Sequence, residues 1–396
     1  MEKRDGLVLA LSAVLTSLLI SIEIHYPTSN PSLYSDVVGS FWERCWVQSG
    51  ILPYVGSAAG CSSSFEYPVL SGLLLYITVQ VGSSLTGFYE VFSGLSLVAG
   101  AVLVYAVWGI AKKAGRTINP LYFMMPTFIL YGIYNFDLFH AMFAVVSVFF
   151  FVRGNRVASA SFLGLAVDTK LASVVLLPIF LMEVQGRRER AKYFGVFALA
   201  VAALNVPIMI FNFSNFLAGY QFLGNWGLED AWYVWIFQNS NTWLWAKLFG
   251  LGVAGLLLVR VYTLRVDLVT KSFLAIAAYL LGTYIYAPQF NLLLIPFVVL
   301  LELKHPALYP WEGFNALIIL TWFIPASNPV AAWSYPQIFA LLRAACLAWM
   351  CVSVASAEGH SPIRWLRATL QRNMRGLAKL GAGGTSTPQA QEANAL

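Results

Sequence analysis

Charge is scarce in this chain of 396 residues: Asp, Glu, Lys and Arg make up only 11% of it. A soluble globular domain carries about 25%, so water is excluded as the main solvent. Cysteine and histidine occur 4 times each, and nothing in their spacing matches a metal-ligand motif. Cys346 and Cys351 fall in an apolar segment, while Cys45 and Cys61 flank a polar stretch. A bridge between the latter two needs an oxidising compartment, and two unlinked thiols fit the sequence equally well. Neither a soluble domain nor an internal repeat is legible. The net charge of +6 does not point to nucleic acid, because the basic residues form short clusters between apolar runs. That is the pattern of membrane topology.

What is abundant is apolar sequence, 59% of the chain, with a mean hydropathy of +0.70. Gly6 to Ile24 is of spanning length; it exceeds a signal-peptide core and lacks a small-residue cleavage site, so a membrane helix is expected. Apolar runs follow at 68–82, 86–111, 118–134, 136–152, 157–169, 171–186, 191–210, 243–261, 271–287, 289–303, 312–326 and 335–356. Taking each as a crossing puts Lys112, Lys113 and Arg116 outside, against the positive-inside tendency. Demoting only 68–82, which is short and contains Gly72, to a helix lying along or dipping into the outer face repairs this.

The expectation is an all-α integral membrane protein with about twelve transmembrane helices, in a plasma membrane or an ER-type membrane, with both termini cytoplasmic. All but four of the 24 Lys and Arg then lie on the inner side. The exceptions, Arg44, Lys170, Lys247 and Arg343, fall at or near outer helix ends and become candidates for function. Run 157–169 covers about 20 Å against a hydrocarbon core of ~30 Å, so Lys170 is expected below the outer surface, facing a polar cavity. Residues 1–358 form the membrane domain and 359–396 an inner tail. From Ser361 to Lys379 an apolar stripe of Ile363, Leu366, Leu370, Met374 and Leu377 opposes basic residues, which reads as an amphipathic helix on an anionic leaflet. The remainder reads as disordered.

The first outer loop, 26–86, interrupts the apolar pattern with "SDVVGSFWERCWVQSGILPY". Apolar pairs recur there at a spacing of four opposite Ser40, Glu43, Arg44 and Gln48, the pattern of an interfacial helix with its apolar face in lipid. Asp36 stands at its start, where Asp or Ser35 can cap. "SSSFEYP" brings a second carboxylate, Glu66, which could equally be an ordinary loop acid. Two carboxylates at the bilayer surface, on the same side as the exceptional cations, suit the transfer of a water-soluble group from a lipid phosphate.

"YSD", "GILPY" and "FEYPVLSGLLLY" resemble the first outer loop of the GT-C superfamily of membrane glycosyltransferases. The closest likeness is to the polyprenyl-phosphate-mannose-dependent mannosyltransferases, including the catalytic subunit of GPI mannosyltransferase I. "YNFDLFHAMFAVVSVFFFVRGNRVASASFLGLAVDTKLASVVLLP" is similar to that group's run from an Asn-x-Asp outer turn to a Lys-containing outer turn, and "YAPQFNLLLIPFVVL" to its late helix pair. The likeness covers about three quarters of the chain, in the order of motifs more than in identity. It departs from the family where Asp36 is followed by Val37 and Val38 instead of a second acid, where Val69 replaces a Pro, and where Ser173 replaces another.

The resemblance implies a GT-C-like fold and an inverting transfer of a hexose, mannose first, from polyprenyl (dolichyl) phosphate to a glycan or lipid acceptor at the extracytoplasmic face. Asp36 is expected as general base, with Glu66 orienting the acceptor. Lys170, Arg343 and Lys247 are the cations expected to hold the donor phosphate, although Lys247 could instead snorkel to the surface. Tyr67, Asn135, Asp137, His140 and Gln289 are expected to bind substrate, with helix capping as the alternative for Asp137. No metal or other cofactor is required, since the leaving group is a lipid monophosphate. Trp226, Glu229, Asp230 and their neighbours in the outer loop 211–242 suit either sugar binding or a membrane-interface belt. The expected partners are donor, acceptor and bilayer, with no nucleic acid and a small membrane subunit left open. A transporter is the competing reading, and would show ionisable groups near the midplane and an inverted repeat.

Overall fold

The computed structural model describes residues 3–29, 32–55, 57–58, 61–324 and 328–357. The helices run α1 (Lys3–Ile24), α2 (Cys45–Gln48), α3 (Val69–Val81), α4 (Leu85–Lys113), α5 (Pro126–Tyr131), α6 (Asp137–Val152) and α7 (Arg156–Thr169). They continue as α8 (Leu177–Glu183), α9 (Arg187–Asn225), α10 (Trp243–Tyr262), α11 (Leu268–Gly282), α12 (Asn291–Leu300), α13 (Leu308–Trp322) and α14 (Tyr335–Ala357). Among the described residues the only strands are β1 (Ser57–Ala58) and β2 (Cys61–Ser62), an antiparallel pair with Ser57 opposite Ser62. The chain divides into a large unit, 1–348, and a small one, 349–396. The amphipathic helix expected at 361–379 lies outside the described residues.

The fold is all-α, and five stretches are long and apolar enough to cross a membrane: Gly6–Ile24, Leu85–Lys113, Arg187–Asn225, Ser240–Tyr262 and Tyr335–Ala357. The other apolar runs are divided into shorter pieces, and proline explains much of the division. Pro120 and Pro126 split 118–134 into a 3-10 turn, Pro120–Met124, and α5. Pro178 sits in the first turn of α8, after a 3-10 stretch at Leu171–Leu176. Pro288 opens a 3-10 turn before α12, whose interior carries Pro296. A proline has no amide hydrogen to donate and clashes with the preceding turn, so each favours a start or a break. In α9 the helix breaks at Asn212, whose backbone leaves helical geometry and whose side chain accepts from Asn215 N at 3.1 Å to restart it.

Burial follows composition. Every residue of α12 is buried, and α6 and α11 are buried on nearly all faces, as expected of helices apolar all round. In contrast, Leu199, Ile210 and Phe211 of α9 and Leu256 of α10 are about seven-tenths exposed, an apolar surface suited to lipid.

The turns that the charge pattern assigns to the inner side meet one another. Lys113 Nζ donates to the Val152 carbonyl at 2.6 Å and Arg116 Nη1 to that of Leu300 at 2.8 Å. Thr117 N donates to Glu302 Oε1 at 3.1 Å, and Lys271 pairs with Glu183 at 3.7 Å.

The first loop differs from the expected interfacial helix. It forms a π-helical turn, Val37–Phe41, and the single turn α2, separated at Arg44 by extended backbone. Its apolar side chains do not face lipid: Val37, Phe41, Trp46 and Val47 are buried, with Phe41 stacked 5.0 Å from Phe136 and edge-on to Phe65. The cause is a cluster of aromatic partners from distant segments, which a local pattern cannot reveal. Cys45 and Cys61 are bridged, which ties α2 to β2.

Candidate functional site

The turns assigned to the opposite side also converge, around one cavity of about 710 Å³. Its wall draws on the first loop, the turns near Tyr134 and Lys170, the segment 220–230, the turn 283–290, and the end of α13. The volume is that of a small-molecule site.

Asp36 lies on this wall. Its side chain makes no capping bond; Val38 N reaches Ser35 Oγ instead, at 3.4 Å. The carboxylate is held from across the chain: Asn135 Nδ2 donates to Asp36 Oδ2 at 2.6 Å, while Asp36 N donates to the Tyr134 carbonyl at 3.1 Å. The same Asn135 amide reaches the Tyr67 hydroxyl at 2.8 Å, and its Oδ1 accepts from Phe136 N. Burial pushes the Asp36 carboxyl up to about 7, against the lowering effect of Asn135 and Lys170; Glu229 raises it further.

Glu66 Oε1 pairs with Arg44 Nη2 at 2.5 Å, and both line the cavity. Arg44 was legible as an exceptional cation, but a sequence separation of 22 hides its partner. Lys170 also lines the cavity. Its Nζ donates to both oxygens of Asp137, at 2.9 and 2.7 Å, in a buried ion pair. It sits 4.5 Å from the centre of the Phe290 ring and 5.3 Å from that of Tyr67. Asp137 stands in the first turn of α6, after Phe136 at the N-cap, and both of its carboxylate oxygens accept from Lys170. His140 and Gln289 line the cavity as well; His140 Nε2 and Ser173 Oγ share a hydrogen bond of 2.7 Å.

Two expected phosphate-binding cations lie elsewhere. Lys247 is absent from the cavity wall and donates to the Gly224 carbonyl at 2.7 Å, its ammonium over the Tyr284 ring. Arg343 is fully buried behind the wall. Its guanidinium donates to Asn315 Oδ1 at 2.7 Å and to the Tyr286 carbonyl, and stacks 3.7 Å from the Tyr286 ring. Two of its donors are used on α13 and on the turn 283–290, and among the described residues its Nε has no partner.

The structure adds Glu229 and Asp230 to the wall. Glu229 N donates to the Tyr284 carbonyl and Tyr286 N to that of Glu229, at 3.1 and 3.0 Å, fixing this segment beside the turn 283–290. Asp230 has φ of +54°, a left-handed conformation that costs a non-glycine residue energy. Gln337 Nε2 donates to its Oδ1 at 3.0 Å, and burial pushes its carboxyl up to about 8. Among the described residues, no group of three or more His, Cys, Asp or Glu is gathered so that it could hold a metal ion.

No protein-family model matches the chain, and no curated protein matches it either.

Proposed function

We propose that this protein is a GT-C-like membrane glycosyltransferase that moves a hexose, mannose first among candidates, from polyprenyl phosphate to an acceptor hydroxyl. The observation that carries the reading is Asp36: a carboxylate on the cavity wall, fixed by Asn135, with its proton affinity raised toward neutrality. A general base works best when its pKa lies near the operating pH.

In the proposed step the acceptor oxygen attacks the anomeric carbon from the face opposite the phosphate. The bond from that carbon to the phosphate oxygen breaks, and Asp36 takes the hydroxyl proton. Polyprenyl phosphate leaves with the electron pair and gains negative charge. Lys170 supplies a fixed positive charge to that oxygen, and Asp137 holds the ammonium in place through both carboxylate oxygens. Arg44, oriented by Glu66, is the second cation on the wall, in place of Lys247 and Arg343. The topology we propose, about twelve crossings with both termini cytoplasmic, has the cavity open to the extracytoplasmic side, and the Cys45–Cys61 bridge supports that side as the oxidising one.

The test is purified protein in lipid given labelled polyprenyl-phosphate mannose and membrane glycolipids. A new glycoside with release of polyprenyl phosphate supports the reading. Movement of solute across the bilayer with no bond cleaved favours a transporter and ends it.

A further inference from the structure

Aromatic residues in and near the turns around the cavity divide into two kinds once the cavity is known. Trp245 and Trp333 are about two-thirds or more exposed and stand off the wall, as an interfacial belt requires. Trp226 is different. Its indole lines the cavity, 41% exposed, and its Nε1 donates to Glu229 Oε2 at 2.9 Å. Phe222 braces the ring at 5.1 Å, tilted by 54°. The carboxylate is braced as firmly, because the Glu229 backbone bridges to the turn at Tyr284–Tyr286 and the Tyr284 hydroxyl donates to the Leu223 carbonyl at 2.7 Å. Among the described residues no hydrogen bond engages Glu229 Oε1, which leaves an acceptor on the cavity side.

An indole face held beside a fixed carboxylate matches one ligand chemistry well. A pyranose has an apolar C–H face that covers an aromatic ring and an equatorial fringe of hydroxyls that donate to an anionic oxygen. A lipid headgroup phosphate would meet an acidic side chain at Glu229 rather than a cation, and a hydrocarbon chain would leave that side chain without a polar partner. We infer that Trp226 and Glu229 form a saccharide subsite on the wall that also carries Asp36, so that the acceptor presents a sugar ring rather than a bare lipid or protein hydroxyl. This rests on the glycosyl-transfer reading for its role, but not for its existence.

The experiment titrates the full-length protein in nanodiscs with methyl α-mannopyranoside, methyl α-glucopyranoside and N-acetylglucosamine, followed by tryptophan fluorescence and calorimetry. Wild type binds at least one of them saturably. Glu229→Gln weakens binding about tenfold or more, since a hydrogen bond to a charged group is lost. Trp226→Ala does the same, and Trp226→Phe, which keeps a ring without the N–H, falls between. Trp333→Phe, off the cavity wall, binds as wild type does. No saturable binding, or equal affinity in all variants, overturns the subsite. Asp36→Asn separates the two claims: it retains saccharide binding while losing transfer. Protein that binds sugar and never transfers one refutes the transferase reading alone. Protein that transfers with an acceptor KM indifferent to Trp226→Ala and Glu229→Gln refutes the subsite alone.

Discussion

Asn135 Nδ2 donates to Asp36 Oδ2 at 2.6 Å, so an amide at the start of one helical hairpin lowers the proton affinity of a carboxylate in another loop. The bond favours the ionised form of Asp36, whereas burial favours the neutral one and prevails, leaving the group at about 7. A base must be ionised to act, so kcat/KM should rise with pH through about 7 and level off above it. Asn135→Ala removes a donor to the anion and should move that limb to higher pH by about one unit or more. Asp36→Asn should lower transfer by at least about 10²-fold. A pH profile unchanged in Asn135→Ala would detach the amide from the mechanism.

The same raised carboxyl leaves a mark on stability. Its ordinary value is 3.8, so between about 4 and 7 the folded protein holds a proton that the unfolded chain has released. Stability is therefore present at low pH and declines as pH rises through that window. Asp230, raised to about 8, extends the decline upward. Thermal unfolding in detergent should occur at higher temperature at pH 5 than at pH 8, and Asp36→Asn should flatten the slope.

Lys170 and Asp137 form a buried pair, and their separation requires a different test. Removing one partner leaves a lone buried charge, a loss of about 3–5 kcal/mol. Lys170→Met should therefore destabilise strongly, and Lys170→Met with Asp137→Leu should recover most of that stability. Transfer should recover in neither, because the leaving phosphate loses its cation. Restored turnover in the double variant would remove Lys170 from the chemistry.

Much of this arrangement was legible as parity. Basic clusters divided the turns into two sets, and the two sets meet within themselves, one through Arg116 and Leu300, the other around Asp36. The pairings were not legible, because they join residues far apart: Asp36 with Asn135, Lys170 with Asp137, Arg44 with Glu66. Helix lengths were misjudged where hydropathy was read without its prolines, as at Pro120 and Pro126. Glu229 and Asp230 stood in view as loop acids, but their place on the wall depends on the bridge to the turn 283–290.

Arg343 was expected to hold phosphate, yet it ties Asn315 to the Tyr286 carbonyl, and Asn315 Nδ2 in turn donates to the Pro288 carbonyl at 3.1 Å. It supports the wall that carries Gln289 from behind. A lysine cannot reproduce the planar fork, so Arg343→Lys should destabilise by about 2–3 kcal/mol and leave donor KM within a few-fold of wild type. An unchanged melting temperature with a tenfold higher donor KM would return Arg343 to the phosphate.

Sidedness is the most exposed expectation, and accessible positions test it directly. Ser83 and Asn239 belong to the set of turns around the cavity; Lys112 and Lys304 belong to the opposite set, and all four are exposed. With Cys346 and Cys351 replaced by Ser and the Cys45–Cys61 bridge intact, each engineered cysteine is the only free thiol. An impermeant maleimide applied from the extracytoplasmic side should label Ser83→Cys and Asn239→Cys and miss Lys112→Cys and Lys304→Cys. The bridge itself should resist alkylation until a reductant is added, because a disulfide persists on the oxidising side. The reverse pattern would turn the cavity toward the cytoplasm, where a base at Asp36 would meet a different donor and the proposed transfer would lose its substrate.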